Sequence, residues 1–289
     1  MKYLWISLIL SVVILLSAFA NQPQDKDYKK QWKLVEKYAD QGLPRSALEV
    51  VNEIYKQAKK DNNTPQFIKA VINKISFRSQ FEVNYNEKAI SDISEEVEKT
   101  QKPVRKAILH SVLGELYRNY YKQNRYQISN RSQVDVDSSR LSTWDIRTIL
   151  DEAKKHYLQS IQNSEKLAET SLDVYSEILK EKDYTEGLRP TLYDFLAYRS
   201  LRFMKSSDYL LTEANLEIYY DDSKYFSDIE AFANLDLDKK NSRLLPLHVY
   251  QKLLEIHRDD PKALSEANPQ RMEFVYENYT RRDKEERYL

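Results

Sequence analysis

Apolar side chains recur every three or four residues through most of the chain, the spacing of one face of an α-helix. Trp32, Leu34, Val35 and Tyr38 form the first run; Gly42-Leu43-Pro44 stops it, and Ala47, Leu48, Val51, Ile54, Tyr55 and Ala58 resume it. Asp61-Asn62-Asn63-Thr64-Pro65 predicts a loop, with Thr64 capping the next helix and Pro65 at its first position. Phe67, Ile68, Val71, Ile72, Ile75 and Phe77 form that helix's apolar face. After a polar break from Glu82 to Asn86, Ala89, Ile90, Ile93 and Val97 mark another helix, and Pro103 opens the one after it. Leu167, Val174, Tyr175, Ile178 and Leu179 carry the pattern to a polar segment, Glu181 to Gly187. Pro190 then opens a helix from Leu192 to Met204 that is apolar nearly all round, as a helix buried between neighbours would be. Thr212 to Asn241 reads as irregular and acid-rich. Pro246 and Pro261 open two further helices, with Asn268-Pro269 as a candidate break in the second. The charged run Arg281 to Arg287 carries no capping signal before Leu289, so a truncated C-terminus is expected.

Between Ala107 and Ser160 the pattern is split. Leu113-Gly114-x-x-Tyr117 and Ala153-x-x-x-Tyr157-x-x-Ser160 match the two halves of a tetratricopeptide hairpin. In such a repeat the Gly and Ala lie about 12 residues apart. Gly114 and Ala153 lie 39 apart, so an insertion of about 27 residues is expected inside the hairpin. The nine-residue spacing of Tyr38 and Ala47 matches the same repeat in degenerate form. Hairpins following one another at about 35 to 45 residues make a helical solenoid the expected architecture, all-α, with a long insertion in one hairpin.

Composition agrees with that class. The chain has 289 residues, 41% hydrophobic and 31% charged, which favours a thin, high-surface architecture. Three glycines are too few for the tight turns of a sandwich or barrel. Net charge is zero, or −1 without Lys2, and neither supplies the basic footprint of a nucleic-acid binder. With no cysteine there is no disulfide, no thiol nucleophile and no acylated lipobox. Residues 1–20 read as an export signal: Lys2, an apolar run from Leu4 to Leu16, and Ala18-Phe19-Ala20 for cleavage before Asn21. A retained membrane anchor is the alternative, and either places the rest outside the cytoplasm. Residues 21–27 read as a polar tether, and 28–289 as the helical-repeat region.

No reaction centre emerges. His110, His156, His248 and His257 have no metal-ligand spacing, and surface or hairpin-interface roles are expected for them. Asp135-Val136-Asp137 begins like a calcium loop but has Arg140 where glycine is needed and Ile146 where glutamate is needed. The acidic run Asp92, Glu95, Glu96 and Glu98 reads as a solvated face. Nucleophile elbows, phosphate loops and dinucleotide fingerprints do not occur. With 45 carboxylates, any chosen acid/base pair is weak support for glycosidase-type chemistry, so no catalysis and no cofactor or metal is expected. Tyrosine, with 22 residues, is the one enriched class suited to binding. Tyr117, Tyr120, Tyr121, Tyr126 and Trp144 gather around the interruption, Asn124 to Thr143, either as a contact patch or simply as helix packing.

Asp27 to Lys60, Leu109 to Ser132, Leu188 to Phe203 and Leu244 to Leu254, with NYYKQNRYQISNRS (Asn119 to Ser132) as the most distinctive segment, resemble one known family. The chain is similar over these collinear segments to the extreme N-terminal helical region of Bacteroidetes-type bacterial alpha-2-macroglobulin family proteins. The resemblance implies a much longer protein of the periplasm or cell envelope, in which macroglobulin β-sandwiches follow. In that family an attacking protease cuts a bait segment and is entrapped. Some members use a thioester built on a cysteine, which this chain lacks. The resemblance thus implies a noncatalytic scaffold or interaction region, with inhibitory chemistry beyond Leu289. The expected partners are other proteins, including attacking proteases through downstream domains. Nucleic acid is not expected, and membrane contact is expected only through the N-terminal signal or anchor. The residues expected to meet a partner are Tyr117, Tyr121, Asn124, Arg125, Tyr126, Arg131 and Trp144. A glycan-binding envelope scaffold of the helical SusD-like kind is the alternative, weakened by the missing lipobox cysteine.

Overall fold

The computed structural model describes residues 23–129, 140–179, 187–212, 220–239 and 241–288. Among them the chain is all-α, with no strand and a single antiparallel bridge between Ser171 and Thr191. The signal segment 1–20 and the Asp135-Val136-Asp137 motif lie outside the described residues. Among the described residues no helix is long and apolar enough to cross a membrane. The chain divides into two compact units, Met1–Tyr85 and Asn86–Leu289.

The first unit is built from α1 (Pro23–Asp40), α2 (Pro44–Lys60) and α3 (Thr64–Arg78). Helix α1 begins at Pro23, inside the stretch read as a tether. Its buried positions, Tyr28, Trp32 and Val35, meet the stripe Ala47, Val51, Ile54 and Ala58 of α2. Both turns end their helices on a left-handed residue: Gly42 at φ 68° and Asn62 at φ 61°. In each, the next amide reaches five residues back, from Leu43 to the Tyr38 carbonyl and from Asn63 to that of Ala58. Glycine, and less readily asparagine, accepts that conformation and satisfies carbonyls left open at a helix end. Leu34 and Ile72, assigned to apolar faces from their spacing, are exposed. They sit at the edges of stripes already filled by Trp32, Val35, Ile68 and Val71.

The cap of α3 also differs from expectation. Asn63, not Thr64, holds the N-cap, its Oδ1 accepting from the Gln66 amide at 3.1 Å, with Thr64 and Pro65 already helical. Asparagine has the stronger N-cap preference. Asn63→Ala should lower the stability of this unit by about 1 kcal/mol, read from denaturant melts, whereas Thr64→Ala should change it little.

The second unit contains α4 (Tyr85–Lys99) from its second residue on, α5 (Pro103–Ile128), α6 (Ile146–Gln159), α7 (Ser164–Ala168), α8 (Leu192–Met204), α9 (Ser207–Leu210), α10 (Ile229–Ala233), α11 (Leu245–Ile256), α12 (Pro261–Glu277) and α13 (Lys284–Tyr288). Helix α5, with 26 residues, spans about 39 Å. It continues through Asn124 to Ile128, where the interruption was expected to have begun, because Ile128 is buried and holds the last turn down. The stretch after Ser160 is not one helix but α7 and a 3-10 turn at Leu172–Tyr175. Only Leu167 and Tyr175 of its apolar positions are buried, while Val174 stands out. Helix α8 is the buried centre, packed on α5, α6, α7, α9 and α11. It starts at Leu192, beyond Pro190, with a Thr191/Asp194 capping box. Pro190 instead presents its carbonyl to the Leu172 amide at 3.0 Å. The second Asp194 oxygen accepts from His257 Nε2 at 2.6 Å, tying the start of α8 to the end of α11.

Helix α12 runs unbroken through Asn268-Pro269, the expected break. An interior proline costs about 3 kcal/mol. Ala263, Ala267, Arg271, Phe274 and Val275, buried on both sides of it, offset that loss.

Candidate functional site

The two halves of the split pattern do meet. Helices α5 and α6 make the most extensive helix pair among the described residues. At their seam a Cβ placed on Gly114 would lie 2.9 Å from the Tyr157 ring, so only glycine admits that ring. Tyr157 is buried, donates its hydroxyl to Glu115 at 2.8 Å and stacks on Phe203 of α8. Ser200 and Arg199 of α8 complete the arrangement by donating to the Tyr157 carbonyl at 3.1 Å and to Ser111 Oγ at 2.9 Å.

One turn before Gly114, and beside Tyr157, lie His110 and His156. Their Nδ1 atoms face each other at 2.9 Å, both rings buried, with ring centroids 5.1 Å apart. His156 stacks on Tyr117 at 5.5 Å, and Tyr117 stacks on Trp144 at 6.2 Å with planes only 4° apart. Four rings thus form one continuous column through the hairpin, the offset geometry that aromatic pairs prefer. Burial, then His156 and the nearby Lys106 and Lys155, holds His110 down at about 4. Burial, then Lys155, does the same to His156, with the Gln159 side chain opposing, to about 4. Both rings are therefore neutral at pH 7, and Glu152, 3.7 Å from His156 Nε2, faces no charge there. Burial and Glu152 push the Tyr117 hydroxyl up to about 12.

No family model, curated protein or solved structure matches the chain. Of the seven residues expected at a contact patch, Tyr117 and Trp144 are brought together, but as internal packing, with Tyr117 buried and Trp144 half-buried. Asn124 is turned back on its own helix, its Nδ2 donating to the Tyr120 carbonyl at 2.9 Å. Tyr121 is half-buried, and burial followed by the Asp208 charge raises its pKa. Arg125 and Tyr126 form a separate pair: the guanidinium lies 4.9 Å from the ring centroid and donates to the hydroxyl at 3.1 Å. Tyr126 is 75% exposed, far more than any other large aromatic among the described residues. Nine residues on from Tyr117, this pair sits about 13 Å further along α5. Arg131 lies outside the described residues.

The histidine pair was missed as a pair, although a hairpin-interface role was expected. No spacing in the sequence announced it: in an antiparallel hairpin one turn back from Gly114 pairs with one turn forward from Tyr157, at Ile161 and not at His156. The column contains no serine, threonine or cysteine, and among the described residues no three His, Asp or Glu side chains converge as a metal site would need. Elsewhere, an open depression of about 370 Å³ is lined by Ser223, Phe226, Ser227, Glu286 and Arg287, and includes none of the expected residues.

Proposed function

We propose that this chain is a noncatalytic helical scaffold and protein-interaction region of an exported alpha-2-macroglobulin-like protease trap, made of tetratricopeptide-like hairpins stacked as a solenoid. The observation that carries the reading is the close approach of Gly114 on α5 to Tyr157 on α6, two segments whose sequence matches the halves of such a repeat. The chain similarity to the macroglobulin family over four collinear segments supplies the rest of the support. On this reading α5 presents Arg125 and Tyr126 as the partner-contact element, since a stacked Arg–Tyr pair offers apolar area and charge with little side-chain entropy left to lose. Tyr117 and Trp144 hold that helix in place and do not touch the partner.

Two measurements test this. The full-length protein, mixed with a broad-specificity endopeptidase, should retain it in a large complex that shields it from protein substrates but not from small peptides. Arg125→Ala/Tyr126→Ala in the full-length protein should weaken partner binding about tenfold or more, with hairpin stability unchanged. Intact trapping with unchanged partner binding would remove the contact role alone. No complex at all would remove the trap reading.

A further inference from the structure

The buried histidine pair has a property that packing alone does not require. Facing Nδ1 atoms at 2.9 Å form a hydrogen bond only if one carries a proton and the other does not. Two neutral rings satisfy this. One added proton can go to an Nε2 and leave the bond intact. A second must place two Nδ1–H groups head to head, each on a cationic ring.

We propose that His110 and His156 are an acid-sensitive clasp: the second proton opens the α5–α6 hairpin, freeing α6 and Trp144 from α5, and so regulates the presentation of α5 itself, a last step that rests on the contact role proposed above for Arg125 and Tyr126.

The surroundings leave the clasp little to offset that repulsion. On α5, Lys106 adds positive charge and Tyr117 contributes a stacked ring. On α6, Lys155 adds another cation; Glu152, 3.7 Å from His156 Nε2, faces the pair, but its Oε1 and Oε2 already accept from Lys155 at 3.0 and 2.9 Å, and the Gln159 side chain favours a protonated His156 without reaching the Nδ1 contact. From α8, Arg199 is turned to Ser111 and Glu115. From α4, Glu87 accepts from Tyr120 at 3.0 Å. From α7, Lys166 is paired with Glu169. No carboxylate contacts the facing Nδ1 atoms themselves. Both histidines bind protons more weakly in the closed hairpin than in an open one, so the open form gains protons as pH falls. Closure is complete above the ordinary histidine value of about 6.5 and is lost progressively toward pH 4.

The test is hydrogen exchange by mass spectrometry on the full chain at pH 7 and pH 4.5, following residues 146–159 with 64–78 as the internal reference. The wild type should lose about tenfold or more of its relative protection over 146–159 at pH 4.5 and regain it at pH 7. His110→Phe/His156→Phe keeps two stacked rings without the protons and should remain protected at both. If the double variant fails to fold, Lys106→Met/Lys155→Met substitutes for it. Removing those exposed cations raises the histidine pKa values in the closed state, so this variant should lose less protection at pH 4.5 than the wild type. Unchanged wild-type protection at pH 4.5, or equal losses in the wild type and the folded variants, would overturn the clasp. Because the readout involves no partner, its failure leaves the trap reading untouched.

Discussion

Gly114→Leu should disrupt the α5–α6 hairpin and lower the stability of the second unit by about 3 kcal/mol or more. Two effects oppose each other at this position, and their sizes decide the sign. Replacing a mid-helix glycine gains about 1 kcal/mol of helix propensity. The new Cβ, however, would stand 2.9 to 3.0 Å from three carbons of the Tyr157 ring. That ring cannot retreat, because its hydroxyl is held by Glu115 and its far face by Phe203. Overpacking of this kind costs about 1 to 3 kcal/mol for small additions. Gly114→Ala should therefore lose about 1 kcal/mol net, and Leu considerably more. The decisive comparison is Gly114→Ala in a Tyr157→Ala background. With the ring gone, the same substitution should stabilise, and the change of sign measures the coupling directly. Stabilisation by Gly114→Ala in the wild-type background would show that the seam tolerates a methyl and would sink the account.

Arg271→Ala should cost a similar amount, about 3 to 5 kcal/mol. This arginine is among the most buried large side chains of the chain, at 1% exposure. Its guanidinium donates to the carbonyls of Tyr225 at 3.3 Å and Ser227 at 2.8 Å and to Asn268 Oδ1 at 2.7 Å, and lies 4.3 Å from the centroid of the Phe232 ring. Among the described residues no carboxylate forms an ion pair with it; burial lowers its pKa to about 10, with the Asp228 charge opposing. Its Nε has no acceptor. Burying a cation this way is costly, yet removing it strands two loop carbonyls and leaves a cavity. Arg271→Lys should rescue little, since one ammonium cannot span the fork from Tyr225 to Ser227. Arg271→Met keeps volume but not the donors and should fall between. Denaturant melts followed by hydrogen exchange over residues 223–227 and 261–277 would separate these cases. A methionine variant as stable as wild type would mean that the guanidinium bonds contribute nothing net.

Helix content was largely legible in the sequence because period and punctuation agreed. Pro44, Pro103, Pro246 and Pro261 each sit in the first turn of a helix, and Gly42 ends one. The failures have local causes. Thr64 was preferred over Asn63 because both are capping types, and only the backbone says which is extended. Pro269 looked like a break because its cost is local and visible, whereas the burial of Arg271 and Phe274 that offsets it is tertiary. Most of the tyrosine signal was packing: Tyr28, Tyr157, Tyr193, Tyr209, Tyr220, Tyr250 and Tyr279 are all buried, leaving Tyr126 as the exposed member of the expected patch. The Gly114–Tyr157 seam could be read from the repeat pattern. The His110–His156 contact does not follow from that register, which would set Ile161 opposite His110.

The interruption between α5 and α6 also bears on the order in which the chain folds. Three residues link α1 to α2 and α2 to α3, whereas 17 separate Ile128 from Ile146. Loop-closure entropy puts the longer connection at a disadvantage of about 1.5 kcal/mol. A short turn brings its helices together whatever their faces carry, so the first two hairpins are favoured to form early. Helices α5 and α6 receive no such guidance from their connection. The side chains of their seam must select the register, and errors of pairing during synthesis would concentrate there.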